Sequence, residues 1–122
     1  MSRLKSYQDL EVWKKSIELA EMVYRISGQF PPEERFGITS QVRRATVSVA
    51  ANIAEGAERP GTKEFLQFLG IASGSLAETE TFLILARRLG MATPEAIAPL
   101  LDQAGEIGRM LNGLKRSLHS KT

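Results

Sequence analysis

Residues 41–56 read QVRRATVSVAANIAEG, and this stretch decides what the chain can fold into. Together with Ile38, its small and apolar side chains recur at alternating intervals of four and three residues, which is the spacing of one helix face. The positions on this face are Ile38, Val42, Ala45, Val49, Asn52 and Gly56. The stretch therefore predicts a helix that packs along one seam, with an asparagine as the polar member of that seam.

The same helical spacing continues on both sides of this stretch and predicts three further helices. Proline and glycine mark the breaks, at 31–32, 60–61 and 90. The predicted helices cover residues 7–27, 33–58, 62–89 and 94–118. Because the connections are short, successive helices should be antiparallel neighbours. The sequence thus predicts an all-α fold, an up-down-up-down antiparallel four-helix bundle that forms a single domain over residues 1–122.

Several predicted helix ends carry a residue that suits a cap. Gly28 and Gly90 suit the position that follows a helix, where a left-handed backbone is common. Thr62 and Thr93 suit the N-cap, where a hydroxyl accepts a bond from a backbone N–H of the first turn.

The second and third helices are predicted to approach each other closely. An antiparallel hairpin centred on residues 60–61 places Ser48 opposite Ser73 and Gly74, and Ala51 opposite Gly70. A glycine inside a helix costs about 1 kcal/mol relative to alanine, so close packing is the physical reason for Gly70 and Gly74.

Polar residues on the second helix permit structural and functional interpretations. The hairpin register brings Arg43 and Arg44 level with Glu78, which predicts an interhelical arginine–carboxylate contact. Asn52 suits a register-setting polar group in the seam or a ligand. Glu55 and Gly56 are further candidates: the carboxylate accepts a hydrogen bond from a neighbouring helix or subunit or faces water, and the glycine relaxes or closes the helix end.

Composition excludes several kinds of chemistry. The chain has no cysteine, which rules out disulfides, thiolate metal sites and cysteine nucleophiles. Its one histidine, His119, stands near the C-terminus and has no Glu-x-x-His partner of the kind that di-iron bundles use. We expect no catalytic residues, no metal, no cofactor and no enzymatic activity. The absence of a signal-peptide pattern or a long apolar run predicts a cytoplasmic protein that does not bind membranes.

Basic residues form groups that suggest nucleic-acid binding. Up-down topology places Arg59 and Lys63 at the same end as Lys115 and Arg116, and Arg43 with Arg44 forms a further group. These residues are the candidate nucleic-acid contacts. The alternative is simple complementation of helix dipoles, because cations are favoured near helix C-termini in any protein.

The chain resembles a known family, the four-helix bundle proteins of the 23S rRNA intervening-sequence (S23-like) family. The resemblance covers residues 7–90 and rests on combined motifs, the main ones being Asp9-Leu10-Glu11-Val12-Trp13, Gln41-Val42-Arg43-Arg44-Ala45, Asn52-Ile53-Ala54-Glu55-Gly56 and Phe68-Leu69. It implies a ring-like homo-oligomer, with a pentamer favoured. It also implies kinship with the accessory variability protein of diversity-generating retroelements, and hence RNA, DNA or a reverse-transcriptase-like protein as partners.

Two functions follow as expectations from these observations. The first is a non-enzymatic oligomeric protein that associates with RNA or DNA through its basic residues. The second is a protein-protein interaction scaffold that binds no nucleic acid. The two differ in whether the basic groups form one continuous surface or are consumed in ion pairs.

Overall fold

The protein is built from helices. The structure is a computed structural model that describes residues 6–121, and over this range it contains no β-strand. The helices, in chain order, are a 3₁₀ helix at Tyr7–Asp9, α1 at Glu11–Ser27, a second 3₁₀ helix at Pro32–Glu34, α2 at Ile38–Ala57, α3 at Thr62–Arg88 and α4 at Pro94–His119. The predicted all-α class with four α-helices is confirmed for the described residues.

Helices α1 and α2 begin later than the sequence pattern predicts. Before α1, Leu10 is extended (φ −75°, ψ 125°), so residues 7–9 form a separate turn that the Ser6 hydroxyl caps at Gln8 N (3.0 Å). Before α2, the Gly37 backbone (φ −107°, ψ −119°) is not helical, which separates the turn at Pro32–Glu34 from the helix.

The predicted caps are confirmed at two helix ends and wrong at two. The Thr93 hydroxyl accepts the Ala96 N–H (3.1 Å), and Gly90 has the left-handed backbone (φ 77°). Thr62, in contrast, is the first residue of α3, and Gly61 is its N-cap. Gly28 has a right-handed backbone (φ −64°), so this position does not need the left-handed conformation that favours glycine.

The apolar side chains of the four helices meet in one core. Helix α2 has its most extensive packing with α3; α1 contacts α2 and α4, and α3 contacts α4. The largest fully buried core side chains are Leu19, Val23, Val42, Val49, Ile53, Leu69, Leu83, Ile97, Ile107 and Leu111. Burial of a leucine, isoleucine or valine side chain contributes about 1.5–3 kcal/mol, so these positions drive folding.

Helices α2 and α3 approach each other most tightly at Gly56. A Cβ atom at this position would lie 2.6 Å from Phe68 Cβ and 3.0 Å from a ring carbon of Phe65, which no ordinary packing allows. At Gly70 and Gly74, in contrast, a Cβ would meet no atom within 4 Å. The prediction that Gly70 and Gly74 serve close packing against α2 is therefore wrong for the single chain, because both face outward.

A chain of hydrogen bonds fixes the register of α2 against α3. The hydroxyls of Ser48 and Ser75 lie 2.8 Å apart across the interface, and Asn52 Nδ2 donates to both the carbonyl (2.8 Å) and the hydroxyl (2.9 Å) of Ser48. Because Ser48 meets Ser75 while Gly56 meets Phe68, the two helices run in opposite directions. Asn52 is half-buried, and its hydrogen bonds to Ser48 connect it to Ser75 on α3.

Helix α3 is long and apolar enough, by length and composition, to cross a membrane. Only 33% of that apolar window is buried inside the single chain, while α3 packs against both α2 and α4. Core helices of globular proteins have the same composition, so one such helix is weak support for a membrane span.

Candidate functional site

Arg43 joins the start of α2 to the end of α1. Its Nε donates to the Ser27 hydroxyl (2.8 Å), and its Nη2 donates to the Tyr24 carbonyl (3.1 Å). The guanidinium also lies over the Tyr24 ring, 4.6 Å from the ring centre. These contacts are made to neutral groups, and no carboxylate pairs with Arg43 within residues 6–121.

The predicted contact between the arginine pair and Glu78 is wrong. Arg43 faces α1 rather than α3, and Arg44 and Glu78 are both exposed, with no ion pair between them in the described part of the chain. The physical reason is the direction of the side chains. Arg43 lies on the side of α2 that faces α1, where it bonds Ser27 and Tyr24, and Glu78 on α3 is exposed.

A group of arginines gathers where α1 and α3 end and α2 begins, and we call it the arginine end. Arg43 touches the last turn of α1, and Ile26 in that same turn lines a cleft together with Arg87. The group comprises Arg25, Arg35, Arg43, Arg44, Arg87 and Arg88. None of them forms an ion pair with any residue in the range 6–121.

Two exposed aromatic rings lie among these arginines. Phe36 is 83% exposed, and the Arg35 guanidinium lies 4.9 Å from its ring centre. Tyr24 is 45% exposed and carries Arg43 on its face. Guanidinium groups next to exposed rings are suited to bind phosphates and to stack on unpaired bases, which is the combination found in proteins that bind single-stranded nucleic acid.

The other candidate region, which we call the turn end, surrounds the turn between α2 and α3. Here Arg59 Nη2 pairs with Glu55 Oε2 at 2.9 Å, and the Arg59 guanidinium lies 5.0 Å from the centre of the Phe68 ring. Glu55 thus accepts a bond from Arg59, one turn further along the chain. Glu58 and Glu64 stand directly beside Arg59 and Lys63 in sequence, but neither carboxylate forms an ion pair within residues 6–121.

The remaining basic candidates near the turn end differ in what they contact. Lys115 Nζ donates to the Ser73 hydroxyl (2.6 Å), which turns this half-buried lysine toward the middle of α3. Lys63 and Arg116 are exposed. The sequence-predicted basic residues therefore do not form a single group: Arg43 and Arg44 lie at the arginine end, and Lys115 faces the side of α3.

Sequence reasoning did not propose Arg35, Phe36 or Thr39 as binding residues. The structure places Arg35 and Thr39 in one cleft with Arg43, and the Arg35 guanidinium over the Phe36 ring. The sequence pattern predicts helix from residue 33 onward, and this prediction hides the exposed Arg35-Phe36 pair. An arginine next to an aromatic residue, just after a proline pair, is the signal that could have found it.

No side chains are arranged here for metal chemistry in the part of the chain that the structure describes. Over residues 6–121, no group of three or more histidine, aspartate or glutamate side chains is placed to hold a metal ion. The arrangement instead offers cations, hydroxyls and aromatic rings, which are groups that contact phosphates and stack on bases.

Comparisons with known proteins agree with the fold and the sequence motifs. The solved structure of a protein of unknown function from the S23 ribosomal protein family of Bacteroides thetaiotaomicron superposes with a TM-score of 0.77, at 27% sequence identity, over 85% of this chain and 97% of that chain. Among curated proteins, none matches this chain. No enzyme family is indicated by either result.

The family assignment comes from the sequence model of the 23S rRNA-intervening sequence protein family, which matches residues 8–113. This range includes the whole of α1, α2 and α3 and most of α4, and therefore both candidate ends. The chain belongs to the 23S rRNA-intervening sequence protein family.

Proposed function

We propose that this chain is a non-enzymatic, homo-oligomeric protein that associates with nucleic acid through the arginine end. The observation that carries the proposal is the set of arginines there that have no carboxylate partner within residues 6–121, next to the exposed ring of Phe36. Unpaired guanidinium groups are free to replace the counterions of a phosphate backbone.

The aromatic rings favour single-stranded nucleic acid as the ligand, in particular the loops or ends of an RNA. A base stacked on an aromatic side chain contributes roughly 1–3 kcal/mol, and any of the bases can stack. Phe36 projects into solvent and is held beside Arg35, so a base on the ring would place its phosphate near the guanidinium. A duplex hides its base faces, so it would gain only the phosphate contacts.

We further propose that the helices form an up-down-up-down bundle that assembles into a ring, with a pentamer as the favoured size. The opposite directions of α2 and α3 and the short connections support the bundle. Apolar residues exposed on different faces support the ring: Val47 (45% exposed) beside the groove between α1 and α2, and Ile71 (51% exposed) beside Gly70 on α3. A ring needs two different complementary surfaces on each copy.

Charge favours these two faces as partners in such a ring. The α2 face carries the unpaired Arg44 and the α3 face carries the unpaired Glu78. When one copy presents its α3 face to the α2 face of the next, the arginine and the carboxylate that do not meet within the chain meet between chains. Repeating the contact would also repeat the arginine end around the ring, where phosphate contacts add together.

The second candidate function is a protein-interaction scaffold, and the exposed apolar faces of α2 and α3 favour it. In that case Val47 and Ile71 contact another protein, such as a reverse-transcriptase-like enzyme, rather than another copy of the chain. The arginines then act in solubility or in docking that partner. The two candidate functions predict different masses of the protein in solution and different affinities for nucleic acid.

Mass measurement in solution, followed by gel-shift titration with single-stranded RNA and DNA at two salt concentrations, tests the proposal. We expect one assembly several times the mass of the chain, and binding that weakens steeply with salt because counterions are released. Binding of neither nucleic acid at low salt would reject the nucleic-acid function and favour the scaffold. A monomeric mass would reject the ring.

A further inference from the structure

A cleft at the arginine end is lined by groups suited to one small anion. The cleft has a volume of about 310 Å³ and lies between the last residues of α1 and the start of α2. Its walls include Ser27, Arg35, Thr39 and Arg43. Among the residues that the structure describes, no carboxylate lines it, so the walls combine two positive charges with two hydroxyls.

The hydroxyl of Thr39 has no hydrogen-bond partner within residues 6–121, although Thr39 is only 7% exposed. Two other buried hydroxyls on helices, those of Thr79 and Ser16, donate to the carbonyl four residues earlier (2.8 and 2.7 Å), whereas the buried Thr46 hydroxyl also lacks a partner within residues 6–121. A buried polar group without a partner destabilises the fold. The Thr39 hydroxyl therefore lacks a partner. Because its oxygen has almost no exposed surface, the side chain must rotate before it can donate to a group in the cleft that Thr39 lines.

Arg43 is held in the wall of the cleft with hydrogen-bonding capacity to spare. Its Nε and Nη2 atoms bond Ser27 and Tyr24, which fixes the plane of the guanidinium. No hydrogen bond of its Nη1 occurs in the described part of the chain. A guanidinium has five N–H donors, so a fixed Arg43 still offers donors to an incoming acceptor.

The carboxylate closest along the chain does not neutralise the cleft. Glu34 Oε1 accepts a hydrogen bond from Ile38 N (3.4 Å) at the first turn of α2. This contact directs the Glu34 carboxylate to the helix backbone. Arg35, the next residue, lines the cleft without an ion pair among residues 6–121.

We propose that this cleft binds a phosphate group through Arg35, Thr39 and Arg43. A phosphate has several oxygen acceptors in tetrahedral directions, so one group can accept from two guanidinium ions and a hydroxyl at once. A chloride ion cannot satisfy directional donors in the same way. The phosphate belongs either to a free anion or to a nucleic-acid backbone, and both present the same oxygens to the cleft.

Titration of the full chain with inorganic phosphate, followed by NMR, tests this site. We expect the Thr39 methyl and the Arg43 Nε–H signals to shift with phosphate and not with chloride at equal ionic strength. Thr46 is a matched internal control, because its hydroxyl is also buried without a partner in the described residues but it does not line the cleft. Equal shifts with both salts would overturn the proposal.

The variants Thr39→Val and Arg35→Gln should each weaken phosphate binding about tenfold or more, as loss of a hydrogen bond to a charged group does. Thr46→Val should leave the phosphate affinity unchanged. Arg35 is exposed, so its variant folds even where a change at buried Thr39 does not. An unchanged phosphate affinity in Arg35→Gln would overturn the proposal.

A parallel arm uses single-stranded RNA and separates this proposal from the proposed function. Phosphate binding without RNA binding supports the cleft as a phosphate site and rejects the nucleic-acid function. RNA binding that is lost in Arg44→Gln but unchanged in Thr39→Val, together with no response to inorganic phosphate, rejects the cleft. RNA binding weakened by Thr39→Val assigns the phosphate to the RNA backbone.

Discussion

The arginine end and the turn end both carry basic residues, yet these residues have different neighbours. At the turn end, Arg59 pairs with Glu55, and Glu58 and Glu64 flank the turn. At the arginine end, Arg43 bonds neutral oxygen atoms, and no ion pair forms within the described residues. A count of basic residues along the chain therefore overstates the positive charge that is available for binding at the turn end and understates it at the arginine end.

The difference follows from residues one helical turn apart. A glutamate four residues before an arginine on a helix is placed to pair with it, and Glu55 stands in this relation to Arg59. Arg43 and Arg44 instead have Thr39 and Ser40 four residues earlier, so no carboxylate on their own helix is placed to neutralise them. The spacing alone is not sufficient, because Arg25 has Glu21 four residues earlier and forms no ion pair with it within residues 6–121.

The largest expected effect concerns helix packing at the turn end. Gly56→Ala should lower the free energy of unfolding by about 1–3 kcal/mol, because its Cβ would overlap Phe68 Cβ at 2.6 Å. Gly28→Ala, at the arginine end, meets only ordinary contacts of 3.5 Å and should change stability by less than about 0.5 kcal/mol. Chemical denaturation of both variants measures the difference, and equal effects would contradict the close approach at Gly56.

The next effect concerns the link between α1 and α2 at the arginine end. Arg43→Gln removes the bonds to the Ser27 hydroxyl and the Tyr24 carbonyl and should cost about 1–2 kcal/mol of unfolding free energy. Ser27→Ala removes one of these bonds and should cost less. Denaturation curves of the two variants test this order. A stability loss for Glu78→Gln as large as for Arg43→Gln would instead support a contact within the chain between α2 and α3.

Nucleic-acid affinity provides a direct comparison of the two ends. The double variant Arg44→Gln/Arg88→Gln should bind single-stranded RNA about tenfold more weakly, and its salt slope should fall by about 0.7 for each phosphate that is no longer neutralised. The control Lys63→Gln/Arg116→Gln changes the net charge equally and should have a smaller effect. These four side chains are exposed, so stability should be preserved. Equal reductions in affinity in the two double variants would indicate binding by overall charge alone.

Much of the fold could be predicted from the sequence because helical periodicity and chain breaks act locally. The seam from Val42 to Gly56 and the cap at Thr93 belong to this class. The residue at which α2 starts could not be predicted from the sequence. It depends on the Gly37 backbone and on the Glu34 contact to Ile38 N, and both are set by how the chain turns after the prolines. Local patterns do not specify that turn.

The candidate site was only partly predictable, for a related reason. Arg43 and Arg44 stand out as a pair, but the partner of Arg43 depends on which helix faces that side of α2. Sequence register points to α3, whereas the 3.6-residue period turns the side chain toward Tyr24 on α1. Gly56 and Gly74 likewise look alike in sequence, and only the position of Phe68 makes one of them necessary.

The smallest expected effect concerns the ion pair at the turn end. Arg59→Gln removes the pair with Glu55, whose side chains are 42% and 54% exposed, and it removes a cation from the face of Phe68. Exposed pairs at this spacing contribute about 0.3–0.5 kcal/mol, so denaturation should detect little change. RNA affinity should also change little, because the guanidinium already has a carboxylate partner. A reduction in affinity as large as that of the arginine-end variant would mean that Arg59 leaves Glu55 to contact the ligand, and the contrast between the two ends would then disappear in the complex.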